Sequence, residues 1–234
     1  MPAYNEEAGI EAVLDLLRAK VLDRFDDAEV IVVDDASTDA TGTILDGISA
    51  EDPRVLTEHL PKNQGHGYAL RKGLDGASGD WIFQIDSDDH IDAEAFWDLW
   101  ANKPSFGLVM GVRTGRRSSW FRRSLTGALS AITRVLGAPL QDPNVPFKLF
   151  PRELWHDLEP AAPEMYSVPS AFISFGAALR RRPIIEIPVK FHDRRHGRSI
   201  GSARVAATAA LACWELTRFY FRVKREPRSR TSKS

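Results

Sequence analysis

Hydrophobic positions along the first half of the chain follow two alternating patterns. Mainly apolar runs without polar alternation predict buried strands at residues 29–33 and 81–85, and Val55 and Leu56 predict a short strand between them. Apolar residues at helical spacing predict helices at residues 10–21, 41–50 and 68–77. Strand, loop and helix in this order predict an α/β fold with a mostly parallel central sheet flanked by helices.

The second half has a less regular pattern. Its predicted strands are at residues 108–112, 145–150 and 184–189, and its predicted helices at 91–101, 118–136, 152–158, 170–181 and 201–225. Pro188 has no amide hydrogen, so the strand that contains it is expected near a sheet edge. Residues 226–234 are expected to be a disordered basic tail.

The start of the chain departs from the usual order of such folds. Parallel α/β domains commonly open on a hydrophobic strand, whereas here a polar stretch leads into the helix at 10–21, which Asn5 is expected to cap. We therefore expect the sheet to lack its usual first strand. The polar start also predicts no signal peptide.

Charge is distributed unevenly along the chain. Residues 1–110 carry 23 acidic and 8 basic side chains, a balance of −15, and residues 111–234 carry 9 acidic and 23 basic side chains, a balance of +14. Two solvated faces would explain this split, as would carboxylates that bind a cation and arginines that bind phosphates or a membrane surface. The acidic half disfavours nucleic acid as a partner. The single cysteine, Cys213, excludes an internal disulfide.

Three carboxylates follow the predicted strand at 81–85. Asp86, Asp88 and Asp89 stand where open α/β sheets place their ligands, and hard oxygen ligands suit Mg²⁺ or Mn²⁺. His90 is a candidate further ligand that favours Mn²⁺. A cap for the following helix, by Asp89 or Asp92, is the alternative interpretation.

A second acidic pair and a glycine-rich turn lie upstream. Asp34 and Asp35 end the strand at 29–33, a position that commonly contacts the ribose or base of a nucleotide, and helix capping is again the alternative. Residues 63–67 (NQGHG) have the composition of an anion-binding turn before a helix, or of a plain turn. They match neither a dinucleotide fingerprint nor a P-loop.

Taken together, these motifs resemble the family 2 glycosyltransferases, which have the GT-A fold. The likeness rests on residues 2–6 (PAYNE), 32–39 (VVDDASTD), 63–67 with Ala69 and Arg71, 77–80 (ASGD) and 84–89 (QIDSDD). Linked motifs in one order and spacing are far more specific than any one of them.

The second half is similar to the branch that includes dolichol-phosphate mannose synthase and bacterial polyprenyl-phosphate glycosyltransferases. Gly111 and Arg113 carry this likeness, with residues 142–148 (DPNVPFK), 187–189 (IPV) and 193–199 (DRRHGRS). The chain departs from the branch in having Ile200 in place of lysine, Lys148 in place of arginine, and His90 in place of glutamine. Many members also carry C-terminal membrane helices, which the pattern of residues 201–234 does not predict.

The resemblance implies a division of the chain and a set of site residues. Residues 1–200 would form the GT-A domain, with a nucleotide-sugar half (1–110) and an acceptor half (111–200), followed by an amphipathic helix (201–225) and the tail. The implied nucleotide-sugar site comprises Pro2, Tyr4, Glu6, Asp34, Asp35, Gly65, Arg71 and Asp86. Asp86, Asp88 and His90 would hold the metal. The implied catalytic residues are Asp86, Asp88, Asp142, Arg113 and Arg194, with Arg122 as a weaker candidate for the phosphate clamp.

The implied reaction transfers a sugar, with inversion, from GDP-mannose or a UDP-sugar. A polyprenyl phosphate acceptor is already an anion and needs no strong base, whereas a saccharide hydroxyl needs one, for which Asp142 is the candidate. Asp142 otherwise positions the acceptor or an arginine. The basic second half and the helix at 201–225 favour the lipid phosphate and a location on the cytoplasmic face of a membrane. A non-catalytic nucleotide-sugar-binding module is the alternative of another class.

Overall fold

The structure is a computed structural model that describes residues 1–87, 93–104, 107–114, 120–162, 167–190 and 202–225, without the side chains of 120–125 and 202–208. Its strands are β1 (Pro2–Ala3), β2 (Val30–Asp34), β3 (Val55–His59), β4 (Trp81–Ile85), β5 (Leu108–Thr114), β6 (Phe147–Pro151) and β7 (Ile184–Lys190). Its helices are α1 (Ile10–Lys20), α2 (Thr41–Glu51), α3 (His66–Gly76), α4 (Phe96–Ala101), α5 (Trp120–Val135), α6 (Arg152–Leu158), α7 (Pro169–Leu179) and α8 (Ser202–Arg225).

Within this part of the chain the strands form two sheets. The first has the order β1-β2-β3 with parallel pairing, and the second has the order β4-β6-β5-β7. Strand β6 runs antiparallel to both β4 and β5, while β5 and β7 are parallel. Because Ile85 pairs with Phe147, the end of β4 lies beside the start of β6. Loops that follow parallel strands and the loop before β6 therefore open onto one edge.

Most of the predicted elements are confirmed, most of them with boundary shifts of one or two residues. Strand β3 runs three residues past its predicted end, and α4 begins at Phe96 after a short 3-10 turn (Ala93–Ala95), not at residue 91. Strand β7 lies at a sheet edge, as Pro188 predicted. The antiparallel β6 was not predicted, because a buried run of apolar residues carries no information about strand direction. Two expectations were wrong: Pro2–Ala3 forms a short strand paired with β2, and α1 begins at Ile10 after Gly9 rather than after a cap by Asn5.

The largest hydrophobic cluster lies around the second sheet. It includes the completely buried Phe147 and Phe150 of β6, Met110 of β5 and Phe175 of α7. Helices α1 and α3 also contribute to it through residues such as Leu17 and Leu74, while Ile10 and Leu14, on an adjacent side of α1, pack on the first sheet. Helices α1 and α3 thus pack on both sheets and fix the positions of the loops at the ends of the strands.

A cavity of about 330 Å³ separates β2 from β4 beside Met1. The amino group of Met1 is buried there and donates a hydrogen bond to the carbonyl oxygen of Ile31 at 2.9 Å. Desolvation lowers the pKa of this amino group to about 6. The start of the chain is therefore attached to the first sheet at the cavity that faces β4.

Candidate active site

Polar side chains concentrate at the edge where β2 and β4 end and β6 begins. Two groups of residues are distinguished by how they are held. The turn cluster consists of Asp34, Asp35, Ser37, His59, Gln64 and Gly65. The ion-pair cluster consists of Arg113, Asp142 and Lys148. Asp86 follows β4, the strand that stands between the first sheet and β6.

Asp34 is a buried carboxylate whose oxygens are both occupied. One accepts hydrogen bonds from the backbone amide of Ser37, at 3.0 Å, and from the Ser37 hydroxyl. The other lies 2.9 Å from Nδ1 of His59, whose Nε2 lies 3.0 Å from Asp46. The hydrogen bond to Asp34 raises the pKa of His59, which makes the charged imidazole more stable in the fold. Asp34 is thus held rigidly at the end of β2.

Asp35 shapes the glycine-rich turn. Its two carboxylate oxygens accept the backbone amides of Gln64 and Gly65, each at 2.7 Å, and its carbonyl oxygen accepts the Asn63 side chain at 3.2 Å. Gly65 has φ of +90°, a conformation that favours glycine, and α3 begins immediately afterwards. The conformation of the turn and the start of α3 therefore depend on a carboxylate that is 30 residues upstream.

Asp86 lies at the carboxyl end of β4 with an imidazole beside it. Oδ1 of Asp86 is 3.1 Å from Nε2 of His66, the first residue of α3. A carboxylate and an imidazole this close fit Mn²⁺ or Mg²⁺ as the start of a ligand set. In the part of the chain that the structure describes, no group of three or more such ligands is assembled. The other predicted ligands, Asp88 and His90, lie outside the described residues.

The loop after β1 packs onto the loop after β2. The Asn5 side chain accepts the amide of Thr38 at 2.8 Å, and Thr41 accepts the amide of Glu6 at 2.8 Å. Pro2 is buried in the first sheet, and Tyr4 is exposed at the same edge. The structure thus brings Pro2, Tyr4 and Glu6 to the edge where Asp34 lies, and their binding of a nucleotide sugar stays a prediction.

Arg71 is directed away from the turn cluster. Its guanidinium donates to the Glu159 carboxylate at 2.6 Å and to the carbonyl oxygen of Ala162 at 3.2 Å. Both partners lie at the end of α6, so Arg71 fastens α3 to the second half of the chain. These contacts give Arg71 a structural role, and its predicted binding of the nucleotide sugar stays a prediction.

Arg113 and Asp142 form a bidentate ion pair. Nε and a terminal nitrogen of Arg113 donate to the two oxygens of Asp142 at 2.6 and 2.7 Å. Asp142 is buried, while about a quarter of the Arg113 side chain is exposed towards the edge. A carboxylate engaged through both oxygens is a poor general base, so the geometry favours the alternative in which Asp142 positions an arginine. The predicted Arg194 lies outside the described residues, as does the Arg122 side chain.

Lys148 is completely buried in the middle of the second sheet. Its ammonium donates to the carbonyl oxygen of Val145, in the loop that begins at Asp142. Desolvation lowers its pKa to about 7, against the opposing attraction of Asp142 and a smaller one of Asp86. Lys148 does not reach the surface, so it acts on the site by holding this loop.

Sequence reasoning missed three residues of this edge as site residues: His59, His66 and Lys148. His66 carried a signal, because an imidazole at the first position of a helix after a glycine turn faces whatever the turn binds. His59 carried none, because its neighbours Asp34 and Asp46 are brought to it by the packing of β2, α2 and β3. Lys148 was noticed only as a departure from a motif.

The chain resembles bacterial sugar transferases along most of its length. It is 27% identical over 202 residues to the undecaprenyl-phosphate 4-deoxy-4-formamido-L-arabinose transferase of Aeromonas hydrophila, covering 85% of this chain and 60% of that protein. It is 29% identical over 202 residues to the enzyme of that name in Pseudomonas fluorescens, covering 85% of this chain and 58% of that protein. The chain thus spans about three fifths of the length of these relatives.

Solved structures share the fold. A mannosyltransferase of Pyrobaculum calidifontis, solved with GDP-Man and Mn²⁺, is 20% identical, with a TM-score of 0.59 over 94% of this chain and 72% of that one. Glucosyl-3-phosphoglycerate synthase of Mycobacterium tuberculosis, solved with Mn²⁺, UDP-glucose and glycerol 3-phosphate, is 23% identical, with a TM-score of 0.62 over 97% and 79%. The fold is therefore the GT-A fold. Residues 1–186 match the sequence model of glycosyl transferase family 2, and the chain belongs to that family.

Proposed function

We propose that this chain is a metal-dependent glycosyltransferase that moves a sugar from a nucleoside diphosphate donor to a polyprenyl phosphate, with inversion at the anomeric carbon. The relatives named as undecaprenyl-phosphate sugar transferases support the acceptor class. The fold shared with transferases solved with GDP-Man or UDP-glucose supports the donor class. The donors to compare are GDP-mannose, UDP-sugars and an activated 4-deoxy-4-formamido-L-arabinose.

The observation that supports a phosphate acceptor is the ion pair between Asp142 and Arg113. Both of its oxygens are held by Arg113, so this edge offers a fixed guanidinium in place of a free base. A phosphate monoester needs a cation that orients it and no base, because its oxygen is already nucleophilic. A saccharide hydroxyl would need a carboxylate that Arg113 does not occupy.

On the donor side, the residues bind and orient rather than react. The turn at 63–67, held by Asp35, presents the start of α3 towards Asp86, a position suited to a diphosphate. Asp34 is fixed by Ser37 and His59 at the end of β2, where a ribose or base would lie. Each carboxylate thus has a position that the fold sets before any ligand binds.

A divalent metal bound at Asp86, with Asp88 and His90 as the further proposed ligands, would neutralise charge on the leaving diphosphate. We assign no preference between Mg²⁺ and Mn²⁺. The reaction forms a bond between the acceptor phosphate oxygen and the anomeric carbon, and breaks the bond from that carbon to the diphosphate oxygen. Arg113 orients the attacking phosphate opposite the leaving group, and Arg194 is proposed to assist it.

The test is transfer from radiolabelled GDP-mannose, UDP-glucose, UDP-N-acetylglucosamine and the activated formamido-arabinose to undecaprenyl or dolichyl phosphate. Mg²⁺, Mn²⁺ and a chelator are compared in parallel. Label that enters the organic phase from one donor, and is lost with the chelator, supports the proposal. Label that reaches only a soluble saccharide contradicts the lipid acceptor, and donor binding without any turnover points to a non-catalytic module.

We place the working protein on the cytoplasmic face of a membrane, since that is where a nucleotide sugar and a polyprenyl phosphate can meet. Among the described residues, no helix has both the length and the apolar character needed to span a bilayer.

The divisions at residues 110, 200 and 225 remain proposals, in which residues 1–110 bind the donor and residues 111–200 the acceptor.

A further inference from the structure

Helix α8 carries two apolar stripes on opposite sides. The first consists of Ala212, Leu216, Phe219 and Val223, which are each at most 3% exposed. Phe219 packs on Phe172 and Phe175 of α7, with ring centroids 5.1 and 6.3 Å apart. This stripe accounts for the attachment of the helix to the body of the protein.

The second stripe faces solvent. Leu211, Trp214 and Phe221 are 46%, 55% and 55% exposed, although each is a large apolar side chain. Their spacing of three and seven residues puts them on one side of the helix, about 180° from the buried stripe. An ordinary packing helix has a polar outer face, so this second stripe requires an explanation beyond attachment to the fold.

Cations accompany the exposed stripe. Arg218 stacks over the Trp214 ring at 4.5 Å, and Lys224 lies 5.6 Å from the Tyr220 ring centroid. Arg222 and Arg225 are also exposed on the last turns. Glu215 is the sole acidic residue in the sequence of α8, and it accepts hydrogen bonds from the amide and hydroxyl of Ser167. Glu215 is thus directed towards Ser167, and the four basic residues of α8 at 218–225 outnumber it.

We propose that the outer face of α8, formed by Leu211, Trp214, Arg218, Phe221, Arg222 and Arg225, docks on an anionic lipid bilayer. The rings and Leu211 enter the boundary between headgroups and acyl chains, while the guanidinium groups bind lipid phosphates. Charge complementarity selects this occupant, because a purely apolar protein partner would leave the cations unpaired. The inference rests on the proposed function only in placing the acceptor in that bilayer.

The experiment uses the full chain and sedimentation with vesicles. One set contains equimolar phosphatidylglycerol and phosphatidylcholine, and the other contains phosphatidylcholine alone. We expect the chain to bind the anionic set preferentially and the double variant Trp214→Ala/Phe221→Ala to lose about tenfold or more in partitioning. Leu16→Ala, which removes an exposed apolar side chain from α1, is the matched control and should bind as the parent does.

A charge variant tests the second component. Arg218→Gln/Arg222→Gln/Arg225→Gln should reduce partitioning to anionic vesicles by about tenfold or more, with a much smaller effect on neutral ones. The inference is overturned if the aromatic variant binds vesicles as well as the parent. It is also overturned if sedimentation velocity shows a dimer that this variant abolishes, since a second copy would then cover the face.

Transfer to a short-chain, water-soluble polyprenyl phosphate separates this inference from the proposed function. All α8 variants should retain that activity without vesicles, because none of the contacts seen for the outer-face residues reaches the turn cluster or the ion-pair cluster. Vesicle binding without any transfer would leave the docking face intact and contradict the proposed function. Transfer to the soluble acceptor by a chain that does not bind vesicles would support the proposed function and contradict the docking of α8 on a bilayer.

Discussion

The turn cluster and the ion-pair cluster neutralise buried carboxylates in different ways. Asp34 and Asp35 rely mainly on backbone amides and a hydroxyl from nearby loops, together with one half-exposed imidazole. Asp142, in the loop before β6, relies on the guanidinium of Arg113, which is 29 residues away on β5. A carboxylate held by amides is fixed by the course of the backbone, whereas one held by a cation depends on a second side chain being present and charged.

The largest effect is expected at Asp86, between the two clusters. Asp86→Asn removes charge where the diphosphate leaves, and we expect transfer to fall about 10³-fold or more, since metal and charge stabilisation supply several kcal/mol. Urea unfolding should be almost unchanged. Asp15→Asn, at an exposed position of α1, is the matched control for loss of one carboxylate. Transfer within about tenfold of the parent would exclude Asp86 from the reaction.

The ion-pair cluster should be the more fragile of the two. Arg113→Leu leaves the Asp142 carboxylate buried and unpaired, so we expect a loss of about 3–5 kcal/mol in the free energy of unfolding. Adding Asp142→Asn should recover much of this loss. Arg182→Leu removes a partly exposed pair with Glu153 and should cost at most about 1 kcal/mol. A similar small cost for Arg113→Leu would erase the distinction between the clusters.

The two clusters should also respond to pH with opposite signs. Lys148 has a pKa of about 7 in the fold and 10.5 in its usual state, so between these values the unfolded chain binds more protons and stability rises with pH. The gain, on the order of a few kcal/mol, should vanish in Lys148→Met.

His59 provides the opposite case in the turn cluster. Its pKa is raised above 6.5, so its contribution is complete below that pH and is lost as pH rises through the folded value. His59→Gln should remove this slope. Urea titrations of the parent and both variants from acidic to alkaline pH measure the two slopes, and slopes of equal sign would contradict the assignment.

The smallest expected effect concerns backbone strain in the turn cluster. Ala36 has φ of +58°, a left-handed conformation that costs a side chain with Cβ about 1–2 kcal/mol. Ala36→Gly should raise stability by up to about 1 kcal/mol once the entropy of glycine is counted. Ala50→Gly, at an exposed position in α2, should instead lower it by about 0.5–1 kcal/mol. Equal losses in thermal unfolding would exclude strain at Ala36.

The turn cluster was largely predictable from sequence because most of its polar residues lie in two short segments. Asp34 and Asp35 directly end a buried strand, and the turn at 63–67 directly starts a helix, so local patterns locate them. The ion-pair cluster was less predictable from sequence. Arg113 was identified through a motif, but its partner and the role of Lys148 depend on β6 running antiparallel between β4 and β5. Arg71 shows the converse limit, since its motif position did not reveal its contacts with Glu159 and Ala162.

The cavity beside Met1 has a consequence for how the molecule opens. Because the described strands divide there into two sheets, the amides of β2 and β3 lack the continuous ladder that would tie them to β4. Partial opening of the first sheet then costs less than unfolding the whole chain, and native-state hydrogen exchange should resolve two cooperative units. Slow exchange should be confined to β4, β5 and β6, where the larger apolar cluster lies.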